Sequence, residues 1–157
     1  MEVCVDKVAA ALDRAAAGCV ARGAQLTPLR RDVLELMLRA EQPIGAYALL
    51  DQLKASRAGA APPTIYRALD FLLAQGLVHK LESLNAYVPC VHDHAEGMAG
   101  GHHHPHQFLI CGRCGATAEI CDPALTRALD SAASRAGFTV ERATVELEGL
   151  CQTCAAP

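Results

Sequence analysis

Apolar residues recur every three or four positions from about residue 3 to residue 21, the spacing that lines one face of a helix, and Gly23 closes the run. The period returns from Thr27-Pro28 to about Arg39, where a threonine able to cap free amides precedes a proline whose missing N–H costs nothing in the first turn. Glu41-Gln42-Pro43 stops it. A third helix is expected over residues 46–56, with Leu49, Leu50 and Leu53 on one side. A fourth starts at Pro62-Pro63-Thr64 and turns Ile65, Leu69, Leu72 and Leu73 inward. After Gln75-Gly76, residues 77–81 and 86–90 flank the polar Glu82-Ser83-Leu84-Asn85 and read as a β-hairpin. Helices followed by a hairpin are the order of a winged helix, whose last helix enters the major groove of DNA while the hairpin lies along the phosphates. The early outward turns of that helix would present Thr64, Tyr66, Arg67 and Asp70, with Arg67 suited to a guanine edge and Thr64 to a phosphate.

Residues 91–101 have no apolar period and contain glycines, the marks of a linker, and His102-His103-His104-Pro105-His106 comes next. Short strands are expected over residues 107–111 and 116–120. Asp122-Pro123 repeats the cap-then-proline signal and opens a helix to about residue 136, which Gly137 stops. Residues 138–148 alternate as a strand. The chain therefore reads as α+β: a winged helix over residues 1–83, a hinge and His-rich linker over 84–106, and a small α/β domain over 107–157.

Cysteine placement adds chemistry to this outline. Cys111-Gly-Arg-Cys114 and Cys151-Gln-Thr-Cys154 are separated by residues 115–150. A two-residue spacer lets both thiolates of a pair grip one metal from a single turn, and two such pairs complete the tetrahedron that zinc prefers. A structural Cys4 zinc site stapling the second domain is the expectation, with two redox or disulfide pairs as the rival reading. Cys4 and Cys19 fall in the first helical pattern and read as small packing residues rather than ligands, and Cys121 stays unassigned. His92, Asp93, His94 and Glu96 offer donors for a further, weaker site, with a loop of unclaimed ligands as the other reading, since no spacing completes a shell.

Charge changes the picture only when divided. Residues 1–83 carry ten Lys/Arg against nine Asp/Glu, while residues 84–157 carry four against eight. The acidic excess thus belongs to the metal half, and arginines gathered on one face of the first half remain able to meet DNA. With aromatic residues at 4% and no tryptophan, the core must be built from aliphatic side chains. No window approaches the roughly 18 uninterrupted apolar residues of a membrane span. Glu2, Asp6, Lys7 and Asp13 break any signal-peptide pattern. A cytoplasmic protein without a membrane partner is expected, and in that reducing setting cysteines favour metal over disulfides.

Thr27-Pro-Leu-Arg-Arg31, the run from Pro62-Pro-Thr-Ile-Tyr-Arg through His79-Lys80, and Cys111-Gly-Arg-Cys-Gly115 resemble the ferric-uptake-regulator superfamily, and its zinc-responsive branch most of all. The resemblance covers nearly the whole chain. It implies a bacterial homodimer with an N-terminal winged helix and a C-terminal dimerisation domain. Such a protein binds double-stranded operator DNA and represses zinc-acquisition genes when loaded with two zinc ions per chain. It places the structural ion on Cys111, Cys114, Cys151 and Cys154, the four that spacing selects, and a regulatory ion on His79, Cys90, His104 and Glu119. His102, His103 and His106 lie close enough to His104 to substitute for it. The resemblance also assigns base contacts to Tyr47 and Arg67, and a contact between neighbouring dimers to Asp51 and Lys54, where lysine replaces the more usual arginine.

Zinc is favoured over iron, manganese, nickel or peroxide sensing because Cys90 is a soft ligand and residues 40–43 lack the histidine that iron sensors often place there. No small organic substrate is expected. A zinc hydrolase or deaminase needs an open metal position for water, and four assignable ligands leave none. A zinc store would leave the winged helix without a purpose.

Overall fold

The computed structural model describes residues 2–90, 106–141 and 143–156. The chain divides into two compact units, residues 1–97 and 98–157.

The first unit is built from α1 (Glu2–Ala21), α2 (Pro28–Arg39), α3 (Ala46–Ser56), α4 (Pro62–Ala74) and an antiparallel hairpin of β1 (Val78–Leu81) and β2 (Ala86–Pro89). Its core obeys the sequence periods. Val8, Leu12, Ala15 and Cys19 bury one stripe of α1 against Val33, Leu34 and Met37 of α2, Leu49, Leu50 and Leu53 of α3, and Ile65, Ala68, Leu69 and Leu72 of α4. Each of the larger side chains contributes about 1.5–3 kcal/mol by leaving water. Cys19 lies inside this core, where burial pushes its thiol pKa up. Thr27 takes the extended cap conformation but forms no capping hydrogen bond through its side chain, so the start of α2 rests on Pro28.

Helix α4 ends in a turn that aims the chain into the hairpin. The N–H of Leu77 donates to the carbonyl of Leu72 and that of Gly76 to the carbonyl of Leu73, a Schellman closure. Gly76 adopts φ +67°, which a side chain would oppose. The chain then passes directly into β1. A single bridge from Ile44 to Tyr87 ties the hairpin to the segment before α3.

The second unit is a three-stranded sheet of order β4-β3-β5, formed by β3 (His106–Cys111), β4 (Thr117–Ile120) and β5 (Thr144–Gly149). Strands β3 and β4 are antiparallel, whereas β3 and β5 run parallel because α5 (Pro123–Arg135) carries the chain back across. Strand β5 is shorter than its alternation suggests. It runs from Thr144 to Gly149 alongside His106–Cys111, and Phe138 is left exposed outside the ladder. Asp122 caps α5 through an Oδ1 that accepts the N–H of Ala124 at 2.7 Å. A four-residue helix, α6 (Gln152–Ala155), ends the unit and has no apolar period to announce it.

Gln107 joins the sheet to α5. Its buried amide donates to the carbonyl of Asp122 and the hydroxyl of Thr126, and accepts the N–H of Asp122. Replacing Gln107 with leucine is expected to destabilise this unit by about 1–3 kcal/mol, since three part-buried hydrogen bonds are lost. Urea unfolding of the metal-loaded protein would measure it, and an unchanged midpoint would show that the amide holds nothing.

Candidate metal centre

The two cysteine turns reach one place because β3 and β5 are parallel neighbours, and parallel strands end at the same edge of a sheet. Cys111 closes β3 opposite Gly149, and the N–H of Gly112 donates to the Gly149 carbonyl at 2.9 Å. The first pair is a tight turn closed by the N–H of Gly115 on the carbonyl of Cys111, with Gly115 at φ +74°. The second pair spans one turn of α6, with the N–H of Cys154 donating to the carbonyl of Cys151. All four sulfur atoms lie within 4.8 Å of one another.

The donor set fits zinc. A tetrahedron of Zn–S bonds of about 2.3 Å has sulfur–sulfur edges of about 3.8 Å. Cys114 Sγ and Cys151 Sγ stand 3.8 Å apart. The electrostatics favour a thiolate in advance of metal. Cys111 Sγ accepts the N–H of Cys151 at 3.3 Å. That amide, with those of Cys114 and Arg113, lowers the Cys111 pKa from 9.0 to about 6. Cys154 is pushed the other way, to about 12, first by hydrogen bonding to Cys114 and then to Cys151. Cys111, Cys114, Cys151 and Cys154 can thus hold one metal ion.

The other residues that the sequence marks as candidate ligands are found in each unit separately. On the hairpin, His79 pairs with Val88, and the N–H of Cys90 donates to the carbonyl of Leu77. Because paired residues share a face and side chains alternate, His79 and Cys90 lie on the same face as diagonal neighbours. In the second unit, the pairing of Phe108 with Glu119 puts Glu119 on the face that also carries His106. His106 Nδ1 lies 3.6 Å from Glu119 Oε1, whose side chain is buried. His104, like His92, Asp93 and His94, lies outside the described residues.

The outer side of the winged helix carries the residues that sequence marks for DNA. Tyr47 is 67% exposed on the first turn of α3, Tyr66 is 41% exposed on α4, Arg67 is exposed beside it, and Thr64 is half-buried. Asp51 and Lys54 meet each other on α3 at 3.3 Å.

The ferric uptake regulator family profile matches residues 21–148, which takes in both units. The chain belongs to the ferric uptake regulator family. Within the family, the zinc uptake regulation protein of Escherichia coli (strain K12) is 42% identical over 136 residues, spanning 87% of this chain and 76% of that one. A solved zinc uptake regulator complexed with zinc and DNA is 40% identical, with a TM-score of 0.85 over 94% of each chain. The holo form of XcZur is 43% identical, with a TM-score of 0.81 over 93% of this chain and 97% of its own. This family member therefore has the winged-helix and small α/β architecture expected from its sequence. No helix among its described residues is long and apolar enough to cross a membrane.

Two residues gain weight from the structure. Of the His102–His106 run, where the sequence favoured His104, only His106 is among the described residues, and it lies at the start of β3 beside Glu119. Arg113, inside the first cysteine turn, carried no local signal, because its partner is 41 residues away.

Proposed function

We propose that this protein is a zinc-responsive transcriptional repressor that binds operator DNA as a zinc-loaded homodimer and controls zinc-uptake genes. The observation that carries the reading is the joint between α4 and β1. The helix suited to reading bases runs through one turn into the hairpin that bears His79 and Cys90. Similarity to zinc uptake regulators, one of them solved with zinc and DNA, supports it.

In this reading the four cysteines hold a structural zinc ion, and a second, regulatory ion is held by His79, Cys90, Glu119 and a histidine of the 102–106 run. His104 is the histidine that the family resemblance selects, and His106 is the one found beside Glu119. A sulfur donor with imidazoles and one carboxylate suits zinc better than iron. Ligands drawn from both units would let one ion bias the spacing of two recognition helices in a dimer, which couples metal occupancy to DNA affinity.

Arg67 and Tyr47 would contact bases, with Thr64 and Tyr66 at the backbone. The dimer would form through the second unit, where Leu109, Ala118 and Leu147 make one apolar row across the sheet and remain exposed. Asp51 and Lys54 already satisfy each other on α3, and lysine lacks arginine's two-pronged fork. Neighbouring dimers on one operator would gain little from that pair.

The test is fluorescence anisotropy of promoter duplexes from zinc-transporter genes, titrated with protein at buffered free zinc. Tight binding is expected with zinc, release on chelation, and no rescue by iron(II) or manganese(II). Binding indifferent to metal, or restored equally by iron(II), would overturn the proposal.

A further inference from the structure

Arg113 touches both halves of the cysteine centre. Its backbone N–H is one of the amides directed at the Cys111 sulfur. Its side chain crosses to the other half, where Nη1 donates to the carbonyl oxygen of Cys154. That carbonyl closes α6, a helix so short that its last carbonyls have no partners within it. A cation there satisfies an acceptor and complements the negative end of the turn.

The second cysteine turn has few other holds. None of the α6 residues is buried, and Leu150 before it is 52% exposed. The protein contacts that join the two turns include the Gly112–Gly149 backbone bond, the Cys151 N–H on Cys111 Sγ, the sulfur contacts of Cys114 with Cys151 and Cys154, and the Arg113 bridge. Of these, the arginine is the one that holds the backbone of the second turn beyond Cys151, at the fourth ligand. A zinc ion held by four thiolates also carries net negative charge, which a neighbouring guanidinium offsets.

We propose that Arg113 is a positioning residue for the structural metal: it clamps the Cys154 end of the second turn in ligating geometry and slows release of the ion. The proposal rests on the Cys4 reading. Groups that orient metal ligands typically change affinity by about 10–100-fold when removed, and a single exposed bridge belongs at the lower end of that range.

The experiment uses the full chain loaded with cobalt(II) and, separately, with zinc. Cobalt spectra of wild type, Arg113→Ala, Arg113→Gln and Arg113→Lys should all show thiolate charge-transfer bands and tetrahedral ligand-field bands. If wild type lacks them, the Cys4 reading itself falls and takes the clamp with it. Zinc transfer to excess chromogenic chelator is then monitored. The slow phase should run about tenfold faster in Arg113→Ala and Arg113→Gln. Arg113→Lys, which keeps the charge and one donor, should retain most of the delay. Arg127→Ala, an exposed arginine on α5, serves as the control. Release from Arg113→Ala no faster than from wild type or the control, or a lysine variant no slower than alanine, would overturn the proposal even with the cobalt bands intact.

Discussion

Cys114→Ser or Cys151→Ser should cost the protein its second unit: one metal ion per chain lost, the dimer reduced to monomer, and operator binding abolished while the winged helix stays folded. The reason is how little else holds that unit. Among its described residues, only Phe108, Ile110 and Cys111 are buried apolar side chains, whereas the first unit buries more than a dozen. Neither α5 nor α6 contributes a buried residue. Where apolar burial is this thin, metal binding supplies folding free energy directly, about 10–16 kcal/mol for structural zinc in small domains. Sedimentation velocity combined with a thermal melt would report both losses. A serine variant that stays dimeric and melts like wild type would remove the thiolates from this role.

Acid should act on the same centre with a definite sign. The Cys111 pKa is lowered from 9.0 to about 6, so its stabilised thiolate is in place at neutral pH and is lost as pH falls through about 6. Cys154, raised to about 12, keeps its proton until metal displaces it. Zinc uptake at neutral pH therefore releases a proton from Cys154 and none from Cys111. Below about pH 6 it must displace both, and the fall of zinc affinity with pH should steepen by one proton.

The second large effect concerns control rather than folding. Cys90→Ser should leave the Cys4 ion and the dimer intact, remove one zinc ion per chain, and drop operator binding toward the non-specific level, about 10³-fold or more. Arg67→Ala should do the reverse: both ions stay, and specific binding weakens by about 1–3 kcal/mol, with discrimination relaxed at one base pair. Zinc stoichiometry measured beside DNA titration separates the two. A Cys90→Ser protein that keeps both ions and its affinity would show that this thiol is not a regulatory ligand.

Much of the fold and of the cysteine centre was legible in the sequence, for local reasons. The stripe Val8, Leu12, Ala15, Cys19 needs no knowledge of its partners to be recognised, because helical period alone puts those residues together. The paired Cys-x-x-Cys turns likewise carry their geometry in their spacing. What escaped was set by distant partners. Strand β5 takes its register from β3, with Thr144 paired to His106, and leaves Phe138 of its own alternation outside. Thr27 has the sequence of a cap without the bond. Arg113 finds its acceptor across the sheet.

The Schellman turn after α4 bears on how such a protein can diversify. Gln75, Gly76 and Leu77 alone separate α4 from β1, and the shape of this joint comes from backbone hydrogen bonds and one glycine rather than from the side chains on either flank. On the proposed function, substitutions on the hairpin would retune which ion is detected, and substitutions on the outer face of α4 would retune which DNA is chosen, while the joint between them keeps its shape. Sensor and reader would then be separately mutable parts on a common joint, so lineages could change the signal and the address independently.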